Sequence, residues 1–329
     1  MKAIGIILAG GNNNRMKELT AKRAVPALPV AGSFRAIDFS LSSMSNSHIQ
    51  TVAILTQYNA RSLNEHLSSS KWWNFGRKQG GLFLFTPTVT ADNSDWYRGT
   101  ADAMYQNIDF LKRRHEPYVI ISSGDCVYKL DFNRVLDFHI EKKSDITVVC
   151  KDMMYNDDVS RFGVVRMDEE SRITEFDEKP IEASSNTIST GIYVIRRRQL
   201  IELLEAAAEE NRFDFVNDIL VRYKNVKKIY GYKINSYWNN IADIDAYFKT
   251  NMDFLRPDVR SYFFREEPTI CSKVDDLPPA KFNPGSDISN SLVSSGCIIN
   301  GRVEDSVLFK QVFAVSYTHL RAHETRSNL

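Results

Sequence analysis

The chain has 329 residues, 43% hydrophobic and 25% charged, the make-up of a soluble globular protein with core enough for about two domains. Its 42 lysines and arginines against 41 acids leave a net charge of +1, which excludes a global field for nucleic acid or an anionic membrane and leaves a local basic pocket open. Four cysteines, Cys126, Cys150, Cys271 and Cys297, lack CxxC or Cys/His spacing, so the sequence argues against a disulfide framework or zinc site and for a reducing, cytoplasmic setting.

In chain order, the first element is the apolar run over residues 3–9. It is far shorter than the ~20 apolar residues that span a bilayer. It runs into Gly10-Gly11 and asparagines instead of a cleavage site, so it reads as a buried first strand and not a signal peptide. No later run is long enough to span either. Further strands are expected at TVAIL (51–55), YVIIS (118–122), DITVVC (145–150), TGIYVI (190–195) and IYGYKI (229–234). Between them lie helical spacings, Phe132, Val135, Leu136 and Ile140 in one segment and Leu200, Leu203 and Leu204 in another. Near-continuous apolar strands alternating with helices predict an α/β fold with a mostly parallel sheet covered on both faces. Ligands bind such sheets at the carboxyl ends of strands, where Gly10 and Asp125 fall.

This pattern holds over 1–255. A connector is expected over 256–287, since residues 266–287 hold four prolines and no clear period. Over 288–314 the apolar pairs Leu292-Val293 and Ile298-Ile299 are six residues apart, as are Val307 and Phe313. That spacing suits about one coil of a parallel β-helix, and it suits a single hairpin nearly as well. The closing VSYTHLRAHETRSNL, residues 315–329, has arginine- and histidine-rich clusters and no continuing hexad. It is read as a foreign tail on a truncated chain and left out of fold reasoning.

Several short motifs carry chemistry. In LAGGNNNRMKELTAKRAVPALP, the loop from strand to helix aims backbone N–H groups at one spot, and Arg15 adds a guanidinium fork for a phosphate. Asp125 in SSGDCVYKL is placed to hold Mg²⁺ against phosphate oxygens, or else to serve the start of the following helix. Gly99-Thr100-Ala101-Asp102 reads first as a capped helix start and second as a turn closing over a base. Glu178-Lys179 before Pro180 reads as a solvated turn or as an ammonium meeting a sugar phosphate.

Taken together, LAGG…R…LT…RA.P, FRAIDFSLSSMSNSHI, WYRGTADAMYQN, GD..YK.D, EKP, TGIYVI and YW…DAY…N.D.L follow the order and separations of one family. Over residues 1 to about 313 the chain resembles the glucose-1-phosphate adenylyltransferases (ADP-glucose pyrophosphorylases), most closely the D-type regulatory subunit of bacterial glycogen synthesis. The resemblance implies a Rossmann-like domain followed by a left-handed β-helix used in oligomer contacts. It implies ATP, glucose 1-phosphate or ADP-glucose as ligands, Mg²⁺ as cofactor, and a catalytic homologous subunit as partner in a hetero-oligomer, with neither nucleic acid nor membrane. By the family's motifs, Gly10, Gly11 and Arg15 form the ATP loop, with Gly99, Thr100 and Asp102 on the nucleotide side. Glu178, Lys179 and Ser189 belong to the sugar phosphate, Asp125 to the metal, and Asp125 and Arg15 to catalysis.

The chain departs from that pattern around the phosphates. The third loop glycine is Asn13, the lysine of RAKP is Val25, the Gly-Lys of the later motif is Val216-Asn217, and Asn239-Asn240 stand where the family has Arg-Asp, the second metal ligand. A neutral amide binds Mg²⁺ more weakly than a carboxylate, and a charge pair at about 4 Å is worth ~4 kcal/mol at an effective dielectric of ~20. The expectation is a regulatory subunit with impaired catalysis. The alternatives are an active adenylyltransferase with an atypical metal site, or a nucleotidyltransferase of another base or sugar.

Overall fold

The computed structural model describes residues 2–11, 14–76, 80–88, 96–154 and 157–315, with the backbone of 319–320. Strands Thr51–Leu55 and Tyr118–Ser123 flank Ala3–Leu8 in parallel, and Gly81–Phe85 extends that side beyond Thr51–Leu55. The long strand Thr187–Arg196 pairs antiparallel with both Tyr118–Ser123 and Ile146–Asp152, and Ile229–Lys233 runs parallel to the latter. Gly163–Met167 and Ile173–Glu178 complete a nine-stranded sheet in which only Thr187–Arg196 and Ile173–Glu178 run against the others. The mostly parallel sheet expected from the alternation is present.

Side chains alternate across each strand, so a strand buried on both faces must be apolar throughout. Ala3, Ile7 and Ile120 join one core cluster with Leu41, Phe132 and Leu136. Ile4, Ile6, Val119 and Ile121 join the opposite one with Leu200, Leu204 and Phe215. The helix Phe132–Glu141 starts at Asp131, whose carboxylate accepts the Asn133 N–H at 3.0 Å. It buries Phe132, Val135 and Leu136 as the spacing predicts, but Ile140 is 37% exposed. His139 takes the inward position instead, bonded through Nδ1 to Thr147 Oγ1, and burial pushes its pKa down to about 4. Burial at that depth favours the uncharged ring, which packs like an aromatic.

The 256–287 stretch contains more order than its prolines suggest. Pro257–Phe264 is a helix, with proline in the first turn where its missing N–H costs nothing. Val259 and Phe263 sink into a third cluster with Met16, Val25, Leu28, Phe39 and Phe254. Further on, Trp73 Nε1 donates to the Cys271 carbonyl and the Cys271 N–H to Ser42 Oγ, fastening the connector to the sheet domain.

Beyond it the chain winds in coils with three strand faces. Lys281–Phe282, Ile298–Ile299 and Phe313–Ala314 form one face, Asp287–Ser289, Arg302–Glu304 and His319–Leu320 a second, and Leu292–Val293 with Val307–Leu308 a third. Every pairing is parallel, which a hairpin cannot produce. The start of a parallel β-helix is therefore the correct reading, and its first pairing strand begins at Lys281. Cys297, Ile299, Val303, Leu308 and Ala314 fill its interior. It abuts the sheet domain at Gly32, where φ is +85° and an added Cβ would stand 2.4 Å from Ser294 Oγ. Of the tail, 316–318 and 321–329 lie outside the described residues.

Candidate active site

Both parallel strands that the sequence marks as ligand-bearing end at one place. The Gly124 N–H donates to the Leu8 carbonyl and the Ala9 N–H to the Leu55 carbonyl, so three strand ends are tied side by side. A cavity of about 510 Å³ opens there. Gly10, Gly11 and Asp125 line it from the strand ends, and Gly99 and Thr100 from the helix Thr100–Gln106 opposite. Val25, buried in the Val25–Ala27 turn, forms part of the wall. Val25 packs into the third core cluster, so an apolar residue at the cavity wall stands at the position where the resemblance implies a lysine.

The helix opposite is already capped. The Phe213 carbonyl accepts the Ala101 and Asp102 N–H groups at 2.8 and 3.2 Å, and Thr100 Oγ1 accepts the Phe215 N–H. Asp102 is turned into the fold, 4% exposed, accepting the Arg98 N–H and the Gln106 amide, and it does not line the cavity. Of the two sequence readings for this turn, the capped helix start accounts for Asp102. Arg98 lines the cavity and lays its guanidinium 3.8 Å from the centre of the Phe213 ring.

Asp125 Oδ1 accepts the Ser123 hydroxyl and the Cys126 thiol. Beside it, Trp238–Asn240 pairs antiparallel with Cys126–Tyr128, which sets Asn240 opposite Cys126, and the Ile241 N–H donates to the Asp125 carbonyl at 2.9 Å. Strand pairing thus brings together Asp125 and Asn240, the two positions that the resemblance marks for the metal. The Asn240 side chain is engaged at both ends, Oδ1 accepting the Ala242 N–H at 3.0 Å and Nδ2 directed at Cys126 Sγ. Asn239 donates to Tyr237 Oη at 2.8 Å. Among the described residues no three histidines, cysteines or acids gather as a metal set. One carboxylate and one amide already accepting a backbone N–H do not fit a magnesium ion gripped between two carboxylates.

A second cluster lies beyond the carboxyl end of Tyr118–Ser123. Ile192 pairs with Ser122, so Ser189, three residues earlier on the reversed strand, projects past that end. Ser189 is buried and its Oγ lies 3.3 Å from Tyr193 Oη. Glu178 ends the Ile173–Glu178 strand, with Lys179 in left-handed backbone (φ 51°) and the two side chains 3.2 Å apart. Burial pushes the Glu178 carboxyl up despite the Lys179 charge, and Glu178 and Asp214 in turn help burial raise the Tyr193 phenol. None of Glu178, Lys179, Ser189 or Asn240 lines the 510 Å³ cavity.

Arg15 is exposed in the Asn14–Thr20 turn and outside the cavity lining. Its charge and that of Arg161 add to the Ser160 hydrogen bonds that hold the Asp158 carboxyl below its usual range. Asn13 lies outside the described residues. Val216 and Asn217 open the helical turn Val216–Val221, with the Asn217 N–H capped by Asp214 at 2.7 Å. Sequence reasoning passed over Gln57, which clamps Tyr97 by donating to its carbonyl and accepting its N–H. The signal was available, because Gln57 follows the predicted strand TVAIL at its ligand-bearing end.

Comparison with known proteins bears on this arrangement. The family described as nucleotidyl transferase matches residues 4–256. The glucose-1-phosphate adenylyltransferase of Clostridium acetobutylicum is 39% identical over 94% of the chain and 82% of its own length. That of Pseudothermotoga lettingae is 39% identical over 95% and 74%, and that of Geobacillus stearothermophilus 36% over 94% and 81%. With the sheet, the strand-end cavity and this extent of identity in agreement, the chain belongs to the nucleotidyl transferases and, within them, to the glucose-1-phosphate adenylyltransferase family.

Proposed function

We propose that this chain is a subunit of a glucose-1-phosphate adenylyltransferase that binds substrates or product but turns over poorly by itself, and that it modulates a catalytic homologue in a hetero-oligomer. In the reaction of the family, an oxygen of the glucose 1-phosphate phosphoryl group attacks the α-phosphorus of ATP. A new P–O bond forms, and pyrophosphate leaves as the bond to the β-phosphate's bridging oxygen breaks. Such a transfer depends on position and on charge neutralisation around the phosphates. Here Gly10, Gly11, Gly99 and Thr100 supply a walled space for a nucleotide. Lys179, at the end of the strand Ile173–Glu178, supplies a cation for a sugar phosphate.

The observation that carries the reading is Asn240. It stands opposite Cys126, next to Asp125, as a neutral amide committed to Ala242 and Cys126. Magnesium, when bound with the nucleotide, would neutralise phosphate charge, and Asp125 is the carboxylate available to meet it. A single carboxylate together with Val25 leaves that function weak. Purified chain assayed alone for ADP-glucose formation with ATP, glucose 1-phosphate and Mg²⁺ tests the reading. Little turnover alone, with altered rate or affinity on adding a catalytic homologue, supports it. Turnover comparable to the homologue's own overturns it and establishes the second reading, an active enzyme with an atypical metal site, which the shared cavity of Gly10, Gly99 and Asp125 favours.

A further inference from the structure

The opposite pole of the sheet holds a second cavity, of about 390 Å³, with a different character. Ala3 and Thr51, at the amino ends of their strands, form its floor, and Lys2, His48, Arg113, Arg114 and His115 contribute to its walls. The strand Ala3–Leu8 joins the two cavities end to end, about 17 Å apart at ~3.3 Å per residue. The basic cavity is therefore separate from the candidate active site.

Three features suit it to an anion. The Arg114 guanidinium lies 4.9 Å from the ring centres of both Phe83 and Phe110, and among the described residues no carboxylate pairs with it. Aromatic faces hold the cation in place while leaving its N–H fork for a ligand. Among the described residues the only carboxylate in the lining, Glu116, is occupied, accepting the Thr51 hydroxyl and the His115 N–H, both at 3.1 Å. Against it, among the described lining residues, stand the permanent cations Lys2, Arg113 and Arg114, of which Arg113 also meets the exposed Asp109 carboxylate at 3.8 Å. The rim is also tight at Gly80, where φ is +81° and an added Cβ would stand 2.3 Å from the Gln50 carbonyl oxygen.

We propose that this cavity is a binding site for a small phosphomonoester, with the Arg114 guanidinium as the fixed anchor and Arg113 and Lys2 as supporting charges. Its volume accommodates a phosphorylated sugar-sized molecule, and planar guanidinium groups match phosphate oxygens in pairs. The proposal does not rest on the reading of the active site. It is tested by isothermal titration of the full chain with inorganic phosphate and with ribose 5-phosphate at low salt. Measurements are repeated on Arg114→Gln, on the pair Lys2→Gln/Arg113→Gln, and on Lys179→Ala. The expected result is saturable binding of ribose 5-phosphate, weakened by about tenfold or more in either basic-cavity variant and kept in Lys179→Ala. The surface pair Lys2→Gln/Arg113→Gln keeps the test decisive if loss of Arg114 disturbs the Phe83–Phe110 packing. Absence of saturable binding, binding of inorganic phosphate alone, or loss only in Lys179→Ala overturns the proposal.

Discussion

The two halves of the candidate active site differ in what remains charged. On the cavity side, the wall carries Val25 and the neighbour of Asp125 is Asn240, so among the described residues Asp125 is the one carboxylate lining the cavity. On the side proposed for the sugar phosphate, Glu178 and Lys179 form an ion pair, and Glu178 acts on the Tyr193 phenol that meets the buried Ser189. A protein that lost its fold or its ligands would show decay in both. The proposed reading, binding kept and turnover lowered, rests on the departures at Val25 and Asn240, with the Glu178–Lys179 pair intact.

The largest test of that contrast restores charge. Val25→Lys combined with Asn240→Asp is expected to raise ADP-glucose formation by the chain alone by one to two orders of magnitude, about 1.4 kcal/mol of barrier per tenfold. A steady-state assay reads it, and an unchanged rate breaks the comparison at its first half. Next, Lys179→Ala is expected to weaken glucose 1-phosphate binding about tenfold, as loss of a charge-assisted contact does, while nucleotide binding changes little. Equal loss of both ligands in calorimetry would mean that the two halves are not separable. A smaller effect is expected from Asn240→Ala, which removes the bonds to Ala242 and Cys126. Denaturant unfolding should show a loss of ~1 kcal/mol, with turnover by the chain alone unchanged.

The smallest effect concerns Glu178. Burial raises its carboxyl pKa in the folded chain, so between the ordinary carboxylate value and that raised value the folded state holds more protons than the unfolded one. Stability contributed by this group therefore falls as pH rises through that window. Thermal unfolding of Glu178→Gln should lack this component, and a pH profile identical to that of the unaltered chain would remove the buried-carboxylate description.

The sequence made the sheet legible wherever a strand is buried on both faces, because unbroken apolar runs have no other use at that length. Strands at or near the edges escaped: Ile173–Glu178 alternates polar and apolar residues, and Gly81–Phe85 has one neighbour only. In the site, glycines and Asp125 could be placed because they follow predicted strands. The Asn240–Cys126 pairing joins residues 114 apart in the chain, and nothing local encodes it. Asp102 shows the opposite limit, since a family motif marked it for ligand while its carboxylate serves Arg98 and Gln106. The coil at the end needed long-range pairing to be told from a hairpin, as six-residue spacing satisfies either.

Gly32 has a consequence of its own. The loop that bears it leads back through Val30 and Leu28 to the turn holding Val25, and on its far side it touches Ser294 with no side chain between. A side chain at position 32 would push the solenoid and this loop apart. The solenoid therefore meets the sheet domain on the loop whose other end carries Val25, a residue of the strand-end cavity wall.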